Sequence, residues 1–284
     1  MEKIDLHMHT TISDGTDTPL EIIDAVRSAG MDLFSVTDHD AISACGTIRQ
    51  TLADGDPRFI SGIEFSCRDE YGKYHILGYG YDSEAGAIRS IVERGHNMRI
   101  EKTGTRLEKL RNAFGISFSE EDVRWLYANH NPGKPHIAKL MKKLGYVDSI
   151  SDAFDKYLNH LGVPAVYIRP EEAIEAIRES GGIAVLAHPF YGSGDELILG
   201  EDMDARLRYL IPFGLQGVEA YYSGFARKLR EEMLAFAEKY DLYVTAGSDY
   251  HGTNKTVRLG NTGLQDVGEA VEGLHQFLAD VPKR

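Results

Sequence analysis

Short apolar runs alternate with helical patterns along most of the chain. Ile4-Asp5-Leu6 predicts a strand ending at His7. Thr18 followed by Pro19 predicts an N-cap and a first helical turn, with the helix running to Gly30. Leu33 to Thr37 reads as a buried strand, and a second helix should begin near Ser43. Residues 58–66 predict one or two strands and 74–80 another. Strand-helix-strand repetition implies a mainly parallel sheet with covered faces.

The pattern changes between about Glu84 and Ala165. Residues 99–112 are highly charged, with Ile100, Leu107 and Leu110 at helical spacing. Ser119 with the acidic run after it resembles a helix start, and 135–143 and 151–158 read as helical. No strand pattern interrupts this stretch, so 101–165 predicts a helical insertion, with 1–100 and 166–284 forming the barrel. Beyond it the alternation resumes, with helices at 170–180, 202–213 and 225–240 and strands at 183–187, 215–222 and 242–246. Trp125 reads as a core anchor of the insertion.

Charge adds a constraint. The 284 residues hold 44 Asp and Glu against 31 Lys and Arg, a net charge of −13. An acidic surface disfavours coating duplex nucleic acid or an anionic membrane. That balance conceals a basic segment: residues 94–143 hold 11 Lys and Arg against 5 Asp and Glu. No apolar run approaches the ~18–20 residues of a membrane span. The first residues turn acidic without a long apolar stretch, which predicts no secretory leader and a cytoplasmic protein. Cys45 and Cys67 are too few for a disulfide framework and read as buried thiols.

The candidate chemistry lies at or just past strand ends. His7 and His9 are two apart on an extended segment, so their imidazoles share a face. His39 stands between Asp38 and Asp40, which could fix its tautomer. Glu64 is a lone carboxylate in an apolar strand, costly to bury unless paired or metal-bound. His75, His188, Asp249 and His251 sit in similar places, and Asp14 follows the His7–His9 segment. In a (β/α) barrel, residues at the C-terminal ends of strands converge on one site. An imidazole and carboxylate set without thiolate suits Mn, Fe or Zn. Nine such residues exceed the shell of one ion, so two or three divalent ions fit better.

Taken in order, these motifs resemble those of the PHP (polymerase and histidinol phosphatase) family. They are Asp5-Leu6-His7-Met8-His9-Thr10, Ser13-Asp14-Gly15, Thr37-Asp38-His39-Asp40, Gly62-Ile63-Glu64, His75-Ile76-Leu77-Gly78-Tyr79, Ala187-His188-Pro189 and Gly247-Ser248-Asp249-Tyr250-His251-Gly252. Within the family the chain resembles stand-alone phosphoesterases with a helical insertion. These act on nucleoside 3′,5′-bisphosphates or short 5′-phosphorylated oligonucleotides. Gly133-Lys134-Pro135-His136-Ile137-Ala138 is similar to their insertion motif, with Lys where Arg is usual.

The resemblance implies a distorted (β/α)7 barrel and a division of roles. One ion would be held by His7, His9, Glu64 and Asp249. A second would share Glu64 and add His75 and His188, and a third would use Asp14, His39 and His251. A hydroxide bridging the first two ions would attack phosphorus, with Asp249 or His251 handling the leaving-group proton. Asp38 and Asp40 fit as partners of the ligands.

Arg99, Lys134, His136 and Arg169 are candidate phosphate contacts. Tyr221 and Tyr222 end a strand and could stack on a base or bond a phosphate. His96, His130, His160 and His275 read as surface or core histidines. Competing readings are a cyclic sugar-phosphate phosphodiesterase, a histidinol-phosphate phosphatase, an amidohydrolase on a similar metal barrel, and a non-catalytic module. The last predicts lost ligands, whereas all nine are present.

Overall fold

Local signals set the first elements. Thr18 caps helix α1 (Pro19–Ala29): its hydroxyl accepts from the Glu21 N–H, and the Glu21 carboxylate reaches back to the Thr18 N–H. Gly30, at φ 61°, closes the helix in the left-handed conformation. Ile22, Ile23 and Val26 then face inward and are fully buried, each worth about 1.5–3 kcal/mol of apolar burial. They pack on Phe34 and Val36 of β2 (Leu33–Val36) and Ile48 of α2 (Ser43–Thr51).

The computed structural model describes residues 2–129, 131–164, 166–192, 196–267 and 270–283. His130 lies outside this set. The remaining strands are β1 (Ile4–Asp5), β3 (Arg58–Asp69), β4 (Gly72–Tyr79), β5 (Ile183–Leu186), β6 (Gly217–Tyr222) and β7 (Tyr243–Gly247). They form one seven-stranded sheet in sequence order. The Leu6 N–H donates to the Ala246 carbonyl at 2.9 Å and the Asp249 N–H to the His7 carbonyl at 2.8 Å, drawing the two edges together as a barrel.

The sheet is mixed, which corrects the expectation only for β4. It runs antiparallel to both β3 and β5, while the other four pairings are parallel. The cause is a tight hairpin. Asp69 Oδ1 accepts from the N–H groups of Tyr71 and Gly72, and Gly72 sits at φ 140°. Two residues cannot carry a parallel crossover.

After β4 the chain enters α3 (Gly86–Phe114), one 29-residue helix that runs across position 101. Next come α4 (Glu120–Ala128), capped by Ser119, then α5 (Lys134–Lys143) and the short α6 (Ile150–Ala153). These elements bury an apolar cluster of their own, including Leu110, Ile116, Leu126, Ile137, Met141 and Leu158. Trp125 is not part of it. It is 43% exposed, because α4 turns only Leu126 fully inward. The α/β alternation returns with α7 (Pro170–Glu179), α8 (Gly200–Leu210) and α9 (Arg227–Tyr240). A final helix, α10 (Glu272–Asp280), was not predicted; its Phe277 packs edge-on against Tyr79 at 5.4 Å. No helix among the described residues is long and apolar enough to cross a membrane.

Candidate metal centre

The sequence-predicted ligands converge at one end of the barrel. His7 and His9 follow β1, and both rings are fully buried. Glu64 is central on β3, and its two oxygens face different neighbours. Oε1 lies 2.8 Å from His75 Nδ1 and 3.1 Å from His188 Nε2. Oε2 lies 3.2 Å from His7 Nε2, 3.1 Å from His9 Nε2 and 3.2 Å from His39 Nδ1. Asp249 Oδ1 sits 3.6 Å from His7 Nε2 and 3.4 Å from His9 Nε2. Asp14 Oδ1 lies 3.3 Å from His251 Nε2 and 3.6 Å from His9 Nδ1.

All nine candidates therefore meet, in four overlapping groups. These are His9, Asp14, His39 and His251; His7, His9 and Asp249; His7, Glu64 and His188; and His39, Glu64 and His75. The first contains the trio expected for a third ion and adds His9. His39 also reaches the Glu64–His75 pair.

The backbone aims these side chains at a cost. His188 has φ 26° and Asp249 φ 59°, values that bulky residues avoid at about 1–3 kcal/mol each. The loop bearing Asp14 passes so close beneath His9 that a Cβ on Gly15 would stand 2.4 Å from the His9 carbonyl oxygen. Asp38 ties this loop down, accepting from the Thr10 N–H, the Thr10 hydroxyl and the Ser13 hydroxyl at 2.7–2.8 Å. Neither Asp38 nor Asp40 bonds the His39 ring. Its Nδ1 faces Glu64 and the Ser66 hydroxyl, at 3.4 Å from the latter, while Asp40 bonds the Ser66 N–H and Arg99.

Electrostatics fit a bound cation. Burial opposes charge on Glu64, yet His75, His7 and His39 hold its carboxyl well below the usual range. Asp14 and Asp249 are likewise held low by nearby imidazoles against the opposition of burial. Burial also opposes protonation of His9, but the adjoining Asp249 and Glu64 carboxylates raise it to about 9. His7 rises well above its ordinary value against burial, through Glu219, Glu64 and Asp249. Burial drives His39 the other way. The carboxylates thus demand positive charge at their centre. His7 Nε2 and His9 Nε2 are buried there without a hydrogen-bond partner. Orphaned imidazole nitrogens among carboxylate oxygens are the donor set of a divalent metal site.

Three functional candidates escaped sequence reasoning. Glu219 is fully buried on β6; Oε1 accepts from His7 Nδ1 at 2.9 Å and Oε2 from the His188 N–H at 2.8 Å. Its signal was the one used for Glu64, a carboxylate inside an apolar strand. Lys255 lies 2.5 Å from Asp249 Oδ2, and nothing local in the sequence announced it. Asn131 donates to the His39 carbonyl from the loop before α5.

A cavity of about 320 Å³ opens over Glu64, His75, His188 and Asp249, walled by Tyr191, Tyr222 and Lys255. The Tyr222 hydroxyl donates to Asp249 Oδ2 at 3.0 Å, whereas Tyr221 points into the core. Larger hollows of about 510 and 540 Å³ lie away from the His/Asp/Glu groups.

The basic candidates are dispersed. Arg99 bonds Asp40 and the Ser66 hydroxyl, beside the ring of His39. His136 is buried and its Nδ1 accepts from the Gly133 N–H, capping α5. Lys134 Nζ bonds Asn159 Oδ1 at 2.8 Å, and Arg169 pairs with Glu171 of α7 and with Glu70 of the β3–β4 hairpin.

The chain is similar to known proteins along nearly its whole length. The chain is 30% identical over 278 residues to a 3′,5′-nucleoside bisphosphate phosphatase of Chromobacterium violaceum, covering 94% of this chain and 91% of that protein. It is 27% identical over 263 residues to a 5′-3′ exoribonuclease of Haemophilus influenzae, covering 91% and 93%. A solved structure from Bifidobacterium adolescentis, described as a candidate metal-dependent phosphoesterase, superposes with a TM-score of 0.79 at 28% identity, covering 98% and 96%. The PHP domain family model matches residues 5–246, most of the length of the seven-stranded barrel, and the chain belongs to the PHP family.

Proposed function

We propose that this protein is a metal-dependent phosphoesterase that hydrolyses a small phosphorylated nucleotide. The substrate is a nucleoside 3′,5′-bisphosphate or a short 5′-phosphorylated oligonucleotide. The observation that carries the reading is Glu64, a buried carboxylate whose two oxygens each face two or three imidazole nitrogens at 2.8–3.2 Å. A carboxylate so placed suits bridging between adjacent ions. Two or three ions of Mn, Fe or Zn fit the donors, with His7, His9, Asp14, His39, Glu64, His75, His188, Asp249 and His251 as ligands. When bound, such ions supply a nucleophile at neutral pH and a clamp on phosphoryl oxygens.

The chain's own residues would orient and neutralise. Glu219 fixes the His7 ring through Nδ1, leaving Nε2 for the metal. The His251 Nδ1 bond to the Asp249 carbonyl does the same for Nε2 of His251, which suits a ligand better than a proton donor. Asp249 Oδ2 accepts from Lys255 and from the Tyr222 hydroxyl; held ionised, it would relay a leaving-group proton from those donors rather than supply its own. Lys255 on the cavity wall and Arg99 beside His39 would hold phosphate oxygens. His136 lies close enough to Asp14 and Arg99 to feel both charges. Lys134 and Arg169 would contribute only after leaving Asn159 and the glutamates.

Residues 101–165, with their own apolar cluster, are assigned as the cap over this site. The proposed setting is the cytoplasm, where Cys45 and Cys67 stay reduced. The test is phosphate release by metal-loaded protein from nucleoside bisphosphates, short 5′-phosphorylated oligonucleotides, cyclic sugar phosphates and histidinol phosphate. Release from the first two, abolished by Glu64→Ala, is expected. Exclusive release from either of the others would replace the substrate assignment.

A further inference from the structure

Beyond Arg99, α3 carries charge that the proposed mechanism does not use. Lys102 and Arg106 follow Arg99 by three and seven residues, one and two turns further along the same helix face. The Lys102 ammonium sits 3.9 Å over the Tyr167 ring. Arg106 Nε is buried without a hydrogen-bond partner. Asp40, whose field reaches Lys102, is already bonded to Arg99. Burial, with Arg99 and Arg106 nearby, pushes Lys102 down to about 8, and burial also lowers Arg106. Half-buried cations with no carboxylate partner among the described residues are costly unless an anion completes them.

We propose that Lys102 and Arg106, with Tyr167 positioning the lysine, form a second phosphate-binding site that takes a phosphodiester remote from the reacting phosphate. This rests on the phosphoesterase reading above. Arg99 marks the near end of the row, since it bonds Ser66, whose hydroxyl faces His39. From Arg99 to Arg106 the helix rises ~10 Å, so the row leads away from the cluster. A single strand with its terminal phosphate at the cluster can reach along it. A simple aryl phosphate cannot, so the site favours a chain over a monoester.

The experiment compares metal-loaded wild type with Lys102→Ala/Arg106→Ala on a 5′-phosphorylated trinucleotide and an aryl phosphate. The ratio of kcat/KM for the trinucleotide to that for the aryl phosphate should fall about tenfold, mostly through KM, the size expected of lost charge-assisted phosphate contacts. The log–log salt slope of trinucleotide binding should shrink by about 0.7 for each lost contact. Lys102→Arg/Arg106→Lys should retain ratio and slope, and it serves in place of the alanine pair if that pair misfolds: a tenfold-reduced ratio in this charge-conserving pair would contradict the site. An equal loss on both substrates, or no loss, overturns the proposal. A wild type that releases phosphate from neither substrate refutes the underlying phosphoesterase reading instead.

Discussion

Replacing Glu219 by glutamine isolates the residue that holds the ring of His7. The carboxylate accepts two buried bonds, from His7 Nδ1 at 2.9 Å and from the His188 N–H at 2.8 Å. Gln has the same shape but only one oxygen, so its NH2 must face one of those donors. Losing a bond to a charged acceptor and leaving its donor buried costs about 2–3 kcal/mol. In a chain of this size that lowers Tm by about 3–5 °C. The effect on the metal should be larger in kind. Without the anion, His7 loses part of its basicity, and its fixed tautomer as well when the NH2 faces Nδ1; loss of such partners weakens metal binding about 10–100-fold. Glu219→Ala, which leaves both donors unpaired, should be worse on both counts. The assay is residual metal by elemental analysis after dialysis against a graded chelator series, with thermal unfolding in parallel. A Gln variant matching wild type in retained metal and Tm would refute the reasoning.

Further predictions concern the surroundings of that pair. A Cβ on Gly247 would stand 2.2 Å from Glu219 Oε1 and 2.3 Å from His7 Cβ. Gly247→Ala should therefore cost about 1–3 kcal/mol in denaturant unfolding and release metal more readily, and wild-type stability would count against the packing described. Lys255→Met removes a cation from the cavity wall, and should raise KM for every phosphorylated substrate more than it lowers kcat. A KM that does not move would show that Lys255 serves Asp249 alone. Lys102, held down to about 8 chiefly by burial, loses its charge as pH rises through that value. Trinucleotide kcat/KM should then fall above about pH 8, and Lys102→Arg should remove the fall. The stability sign is opposite: the unfolded chain keeps that proton to higher pH, so Lys102 contributes stability as pH rises from about 8 toward 10.5.

What the sequence disclosed was mostly local. Thr18, Pro19, Glu21 and Gly30 fix α1 through bonds within a few residues, so its limits were legible. The ligands were legible because strand ends are readable and a barrel gathers them. The reversal of β4 was not, since it depends on one turn at Asp69 to Gly72 within a polar run. The true start of α3 was missed because Ala85 makes no side-chain cap. Glu219 carries the same signal as Glu64, a carboxylate buried within an apolar strand. Lys255 was out of reach, because its contact with Asp249 depends on the fold of the loop after His251. Arg169 shows the converse: its charge and its place beside the insertion make it a candidate phosphate contact, but they do not disclose the glutamates, Glu70 and Glu171, that it pairs with.

The central claim is that the nine converging residues hold metal ions that hydrolyse a phosphate ester. The most direct measurement is phosphate release from a short 5′-phosphorylated oligonucleotide, before and after chelator stripping and after Mn is restored. Elemental analysis is made on each sample. The account predicts two or three ions per chain, activity lost with them, and activity regained on their return. Undiminished release by the stripped protein would contradict it.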